Sequence, residues 1–144
     1  MQKVQRQNIE VFARQIMGQI DPSQTSGAYI LALEGDLGAG KTTFTQALAR
    51  VLEVSDTVQS PTYILMKAYP IDFKGFTKLI HIDAYRLEKP EEFAALKPEN
   101  FLHDPHALVV VEWPERLEGV LPFPSLTIKF SSGAAEGERF VEIR

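Results

Sequence analysis

Residues 28–42 read Ala28-Tyr29-Ile30-Leu31-Ala32-Leu33-Glu34-Gly35-Asp36-Leu37-Gly38-Ala39-Gly40-Lys41-Thr42. The first seven form a nearly continuous apolar run, the composition of a strand buried on both faces, as in a parallel sheet. Gly35, Gly40, Lys41 and Thr42 then satisfy the pattern G-x-x-x-x-G-K-[ST]. Over residues 41–52, Phe44, Ala47, Leu48, Val51 and Leu52 share one face of a helix. Buried strand, glycine-rich loop and amphipathic helix are the context in which this pattern binds a nucleotide's phosphates.

The chemistry follows from the residue types. Gly35, Gly38 and Gly40 let the backbone between Asp36, Leu37 and Ala39 turn several N–H groups inward. Those donors and the helix N-terminus suit an anion. Lys41 is expected to reach the β- and γ-phosphates of ATP, and the hydroxyl of Thr42 to coordinate magnesium. Thr43 joins the expected nucleotide contacts.

Outward from this unit, Ile9, Phe12, Ile16 and Ile20 form one stripe of a helix expected over 3–20. Asp21-Pro22-Ser23 ends it, and Thr25-Ser26-Gly27 is a turn. Strands are expected at 63–69 and 77–83, with a turn at 71–76 containing Gly75. A short helix is expected at 91–96 with Pro90 at its start, then loop or broken helix at 98–105. A second buried strand spans 107–112 and ends at Trp113-Pro114. Two alternating strands, 126–130 and 139–143, are joined by the polar loop 131–137. The expected fold class is α/β: a P-loop NTPase-like three-layer sandwich with a mixed, partly parallel sheet. The 144 residues fit one domain, 1–144.

A phosphate loop needs an acidic residue at the end of a neighbouring strand to help hold magnesium. Asp83 and Glu112 compete. Leu108-Val109-Val110-Val111 before Glu112 is uninterrupted and β-branched, as a central strand should be. Glu112 is therefore assigned to the metal with Thr42. Asp83 takes a second carboxylate role, on a metal-bound or attacking water; the plainer alternative is a strand-end cap. Ser60-Pro61-Thr62-Tyr63 is either a polar turn or a switch loop with Thr62 sensing the γ-phosphate. Arg86 has two readings, a charge on the transition state or an ion pair, and the ion pair is the more ordinary. His81 is read as packing against strand neighbours. His103 and His106 lack metal-ligand spacing. Trp113, the one tryptophan, follows Glu112 and is placed near the nucleotide.

Composition narrows the function. The net charge is −4, with no run of Lys and Arg, so direct nucleic-acid binding is not the main design. There is no cysteine, which excludes disulfide and thiol chemistry and suits a reducing compartment. No stretch approaches the roughly 18–20 apolar residues of a membrane span. Polar Gln2, Lys3, Gln5, Arg6 and Gln7 leave no apolar signal core. A cytoplasmic setting is expected.

Four motifs in order carry a family resemblance: the phosphate loop, Ser60-Pro61-Thr62-Tyr63, His81-Ile82-Asp83-Ala84-Tyr85-Arg86-Leu87, and Val111-Glu112-Trp113-Pro114-Glu115-Arg116-Leu117. Together they resemble the TsaE (YjeE) family over almost the whole chain. The resemblance implies a magnesium-dependent ATPase of bacterial tRNA threonylcarbamoyladenosine synthesis, acting on ATP and leaving ADP. It implies a TsaD–TsaB transferase as partner, with tRNA met only through that complex, and a TsaC enzyme supplying the activated threonylcarbamoyl group. It gives functional weight to Lys41, Thr42, Thr62, Asp83, Glu112 and Trp113. One departure lies at Asn8, where many members carry Thr. The rival class is a small-molecule or nucleotide kinase, which needs a second substrate and usually a lid; the sequence offers no long Arg-rich lid segment. A third reading is an ATP-dependent switch module.

Overall fold

The computed structural model describes residues 2–54, 66–135 and 137–144. Seven strands form one sheet in the order β1-β7-β6-β2-β5-β4-β3. The strands are β1 (Gln2–Gln5), β2 (Tyr29–Glu34), β3 (Met66–Phe73), β4 (Phe76–Asp83), β5 (Ala107–Glu112), β6 (Leu126–Ser132) and β7 (Glu138–Ile143). Strands β6, β2, β5 and β4 run parallel, and antiparallel partners close both sides, β7 and β1 on one and β3 on the other. The expected mixed, partly parallel α/β sheet is therefore the observed one.

The two apolar runs read as buried strands take the centre. Every residue of β5 is buried, as are the first five of β2. Their flanking layers differ. Helices α1 (Ile9–Gln19) and α2 (Lys41–Val51) cover one face, where Phe12, Ile16, Phe44 and Leu48 pack on Leu31, Leu33, Leu108 and Val110. The other face is closed by short pieces: 3-10 turns at Pro90–Leu96 and Pro114–Leu117, and the one-turn α3 (Glu99–Leu102). Their Phe93, Phe101 and Leu117 cover Ile30, Ile80, Val109 and Val111. The third layer of the sandwich is thus thin and irregular.

The first helix starts later than its periodicity suggests. Residues Gln2–Gln5 are a strand, paired antiparallel to β7 with Val4 opposite Arg139, and Arg6–Asn8 is a 3-10 turn before Ile9. Only Val4 of that strand is buried, and Lys3 bridges Glu138 at 3.2 Å. Four residues with one apolar side chain cannot display a two-residue period. The segment is a strand because β7 presents an unpaired edge that its backbone satisfies.

The hairpin also differs from expectation. Strand β3 runs to Phe73, through Pro70, and the turn is Lys74-Gly75, both with positive φ (51° and 90°). Pro70 is tolerated because β3 is the edge of the sheet, and the register shifts between Pro70 and Phe73. Two left-handed residues match the tight turn whose twist suits a hairpin. From this turn Lys74 Nζ donates to the carbonyls of Met17 and Ile20, each at 3.1 Å, closing the C-terminal end of α1. Residues 63–65 of the expected strand lie outside the described residues.

Candidate nucleotide site

The parallel strands β2, β5 and β4 deliver their C-terminal ends side by side. Leu33 of β2 is opposite Glu112 of β5, which is opposite Asp83 of β4. The loop after β2 crosses above these ends into α2. Gly35 has φ of +142°, and a Cβ there would stand 2.6 Å from the Phe130 carbonyl oxygen. Gly40 has φ of +109° at the N-terminal cap of α2. These two positions need glycine for conformation, and Gly35 also for close approach to β6.

Lys41 opens α2 and is only 4% exposed. Its ammonium donates to the Gly35 carbonyl and, at 3.2 Å, to that of Asp36. The Trp113 ring lies over it, 3.8 Å from nitrogen to centroid. Burial pulls the Lys41 pKa below the ordinary lysine value; the charges of Glu112, Glu115, Asp83 and Asp36 act against that shift. Trp113 takes this position through a left-handed backbone (φ 61°, ψ 52°), and its N–H donates to the Leu33 carbonyl at 3.3 Å. Such a conformation is costly for a bulky residue. The Tyr85 ring packs against the indole, with centroids 5.0 Å apart.

Thr42 Oγ1 donates to Glu112 Oε1 at 2.9 Å. Glu112 is 2% exposed, and its Oε2 meets His81 Nε2 at 2.5 Å. His81, read from sequence as a strand-core residue, is indeed fully buried but has this polar partner. Asp83 is half-buried, and its Oδ1 accepts from the Tyr85 N–H at 3.1 Å, so it does cap its strand end. Asp83 also lines the pocket with Lys41, Thr42, Glu112 and Trp113. Thr62 and the whole Ser60–Tyr63 motif lie outside the described residues. Asn8 stands at the N-cap of α1 without a side-chain capping bond.

The family model described as Threonylcarbamoyl adenosine biosynthesis protein TsaE matches residues 4–141. The chain belongs to the TsaE family. A Bacillus subtilis (strain 168) relative, tRNA threonylcarbamoyladenosine biosynthesis protein TsaE, is 40% identical over 99 residues, 69% of this chain and 59% of that one. Proteins of the same name from Nostoc and Treponema pallidum are 38% and 32% identical, over 83% and 79% of this chain and 71% and 80% of theirs. The match thus spans under two thirds of the Bacillus subtilis relative and more of the other two. A crystal structure of Bacillus subtilis YdiB superposes with a TM-score of 0.68 at 28% identity, covering 97% of this chain and 80% of that one.

Within this TsaE-family fold, the pocket has a volume of about 530 Å³ and holds three arginines: Arg6, Arg86 and Arg139. Arg86 is exposed and makes no ion pair among the described residues, against the ordinary expectation for it. Arg6 and Arg139 escaped the sequence reading. Arg6 follows β1, and Arg139 lies in β7 with its guanidinium against Gly40. Arg139 Nε is buried with no hydrogen-bond partner among the described residues. The pairing of β7 with β6 brings Arg139 to the phosphate loop and that of β1 with β7 brings Arg6, and no local signal encodes either.

No helix among the described residues is long and apolar enough to cross a membrane. Nor do the described residues contain a cluster of three or more His, Cys, Asp or Glu able to hold a metal. Two hard oxygens, Thr42 Oγ1 and Glu112 Oε1, do face each other beside a second carboxylate, Asp83. That donor set fits magnesium, which takes one or two protein ligands and completes its shell with water and phosphate.

Proposed function

We propose that this chain binds ATP with magnesium and hydrolyses it to ADP as the ATPase of tRNA threonylcarbamoyladenosine synthesis. The observation that carries the reading is the contact of Thr42 with Glu112 in the same pocket as the buried Lys41. Lys41 would exchange the Gly35 and Asp36 carbonyls for phosphate oxygens, with Trp113 holding it in place. Thr42 and Glu112 would hold the metal, and Asp83 would act on a metal-bound or attacking water. When bound, magnesium offsets charge developing on the phosphoryl oxygens. Thr62 is assigned the γ-phosphate-sensing hydroxyl by resemblance.

The pocket also suggests the direction in which the nucleotide lies. Glu112, with Asp83 beside it, would hold the metal, which would supply charge at the terminal phosphates, so that end belongs beside these carboxylates. The nucleoside end then runs the other way, towards Arg6 and Arg139 on the β1–β7 side. Arg139→Ala is expected to weaken ADP binding about 10–150-fold, since hydrogen bonds to charged groups contribute about 1.5–3 kcal/mol. Titration followed by the fluorescence of Trp113 measures this, and wild-type affinity would remove Arg139 from the site.

The partner is proposed to be a TsaD–TsaB-like transferase complex in the cytoplasm, with tRNA reached only through it. The net charge of −4 suits a protein partner better than bare RNA. Phe123 is 98% exposed beside a groove edged by Glu34, Glu115 and Glu118 near the same strand ends, an apolar contact available to such a partner. The kinase alternative needs a second substrate, whereas the three arginines line the same pocket as the phosphate loop.

The isolated chain is expected to release phosphate slowly, and the transferase pair to accelerate it at least tenfold. Arg86 is exposed at the pocket rim, and a partner can order it or supply another charge on the γ-phosphate. Steady-state phosphate release at saturating ATP, with and without the pair, tests this. Turnover near 10 per second alone, unchanged by the pair, would contradict it. Phosphate transfer to an added small-molecule acceptor would favour the kinase.

A further inference from the structure

We infer that His81 is a positioning residue that fixes the rotation of the Glu112 carboxylate for metal binding; this rests on the proposed role of Glu112 as a magnesium ligand. His81 sits two residues before Asp83 on β4, and Glu112 two residues after Val110 on β5. The register pairs His81 with Val110 and Asp83 with Glu112. Alternation along the strands sends both His81 and Glu112 to the face covered by α1 and α2, where Leu79, Leu108 and Val110 also point. The imidazole is fully buried beneath the site, and Asp83, not His81, lines the pocket. His81 therefore acts through Glu112.

The terminal torsion of a glutamate is broad and nearly two-fold, so an unheld carboxylate presents either oxygen. Here both oxygens are assigned. Oε2 takes the hydrogen of His81 Nε2, at 2.5 Å, and Oε1 faces Thr42 Oγ1 at 2.9 Å. His81 Nδ1 is buried with no partner among the described residues, so the tautomer carrying its hydrogen on Nε2 leaves no orphaned donor. With Oε2 held from below, Oε1 stays turned towards Thr42, the other expected ligand. Glu112 Oε1 and Thr42 Oγ1 would then already face the position a metal would take. Hydrogen bonds that orient a ligating carboxylate contribute about 10–100-fold to metal affinity.

The test compares binding of a non-hydrolysable ATP analogue with and without magnesium, followed by Trp113 fluorescence, in the wild type, His81→Leu, His81→Gln and Glu112→Gln. His81→Leu is expected to lose about 10–100-fold of the tightening that magnesium gives, while metal-free affinity stays within about threefold. His81→Gln, whose amide restores a donor, is expected to recover most of it. Loss of the magnesium effect in Glu112→Gln but not in folded His81→Leu would overturn the positioning role. A magnesium effect kept in both would overturn the metal assignment of Glu112, and the role with it. Should His81→Leu not fold, imidazole nitrogen NMR of the metal-free wild type decides. A slowly exchanging Nε2 hydrogen that disappears in Glu112→Ala supports the inference, and a hydrogen resident on Nδ1 overturns it.

Discussion

Lys41→Ala is expected to lower ATP turnover by about 10²–10³-fold, the scale set by removing one pre-placed donor from a developing anion. Nucleotide affinity falls as well, because the lysine meets phosphate in the ground state too. The chain stays folded. Lys41 is 4% exposed, yet it packs at the mouth of the pocket between the loop carbonyls and Trp113 rather than in either apolar core. Its lowered pKa means that the fold disfavours the charged ammonium. For a base shifted down, that destabilising contribution is fully present below the folded pKa and disappears as pH rises towards the unfolded lysine value. At neutral pH, removing the charge is therefore expected to leave thermal stability equal or higher. Trp113 then loses the cation beneath it, and its fluorescence should change without nucleotide. Unchanged affinity and turnover in a folded variant would end the assignment of Lys41.

Glu112→Gln is expected to separate binding from hydrolysis. The backbone cradle and Lys41 survive the change, so nucleotide affinity without metal should stay within about tenfold of wild type. Hydrolysis should fall at least about 10²-fold, because the metal loses an anionic ligand. The environment sharpens the expectation. Glutamine keeps the volume of a side chain that is 2% exposed, so no cavity opens. Its amide must place NH2 towards either His81 Nε2 or Thr42 Oγ1, and both of those groups now donate to the carboxylate. One of them must turn its hydrogen away, and the fit between Thr42 and residue 112 is lost. Wild-type magnesium dependence and turnover in this variant would move the acidic role to Asp83.

The parts of this site that could be read from sequence are those encoded locally. The phosphate loop, its buried strand and its helix lie within 28–52, and each has its own periodicity or glycine pattern. The choice of Glu112 over Asp83 for the metal rested on an unbroken β-branched run, and β5 is indeed the fully buried strand beside β2. What stayed hidden came from distant pairing. Nothing in Gln2–Gln5 marks a strand until β7 offers its edge; that pairing sets Arg6 beside Gly40, as the pairing of β7 with β6 sets Arg139 there. His81 was legible as buried but not as the partner of Glu112, because that contact depends on the register of β4 against β5. Strand β3 runs on through Pro70 to Phe73, past the expected end at residue 69, because an edge strand accepts a proline that a central one would not. The thin layer opposite α1 and α2 was legible as short pieces at 91–96 and 98–105, but the 3-10 form of the first was not, because it is too short to show a helical period.

The central claim is that Thr42 and Glu112 hold magnesium on ATP whose terminal phosphates rest against Lys41. A crystal structure with magnesium and a non-hydrolysable ATP analogue tests it most directly. The expected result is phosphate oxygens on Lys41 Nζ, the metal on Thr42 Oγ1 with Glu112 beside it, and the nucleoside end towards Arg6 and Arg139. Nucleotide bound elsewhere, or a metal held by Asp83 with Glu112 still closed on Thr42, would contradict it.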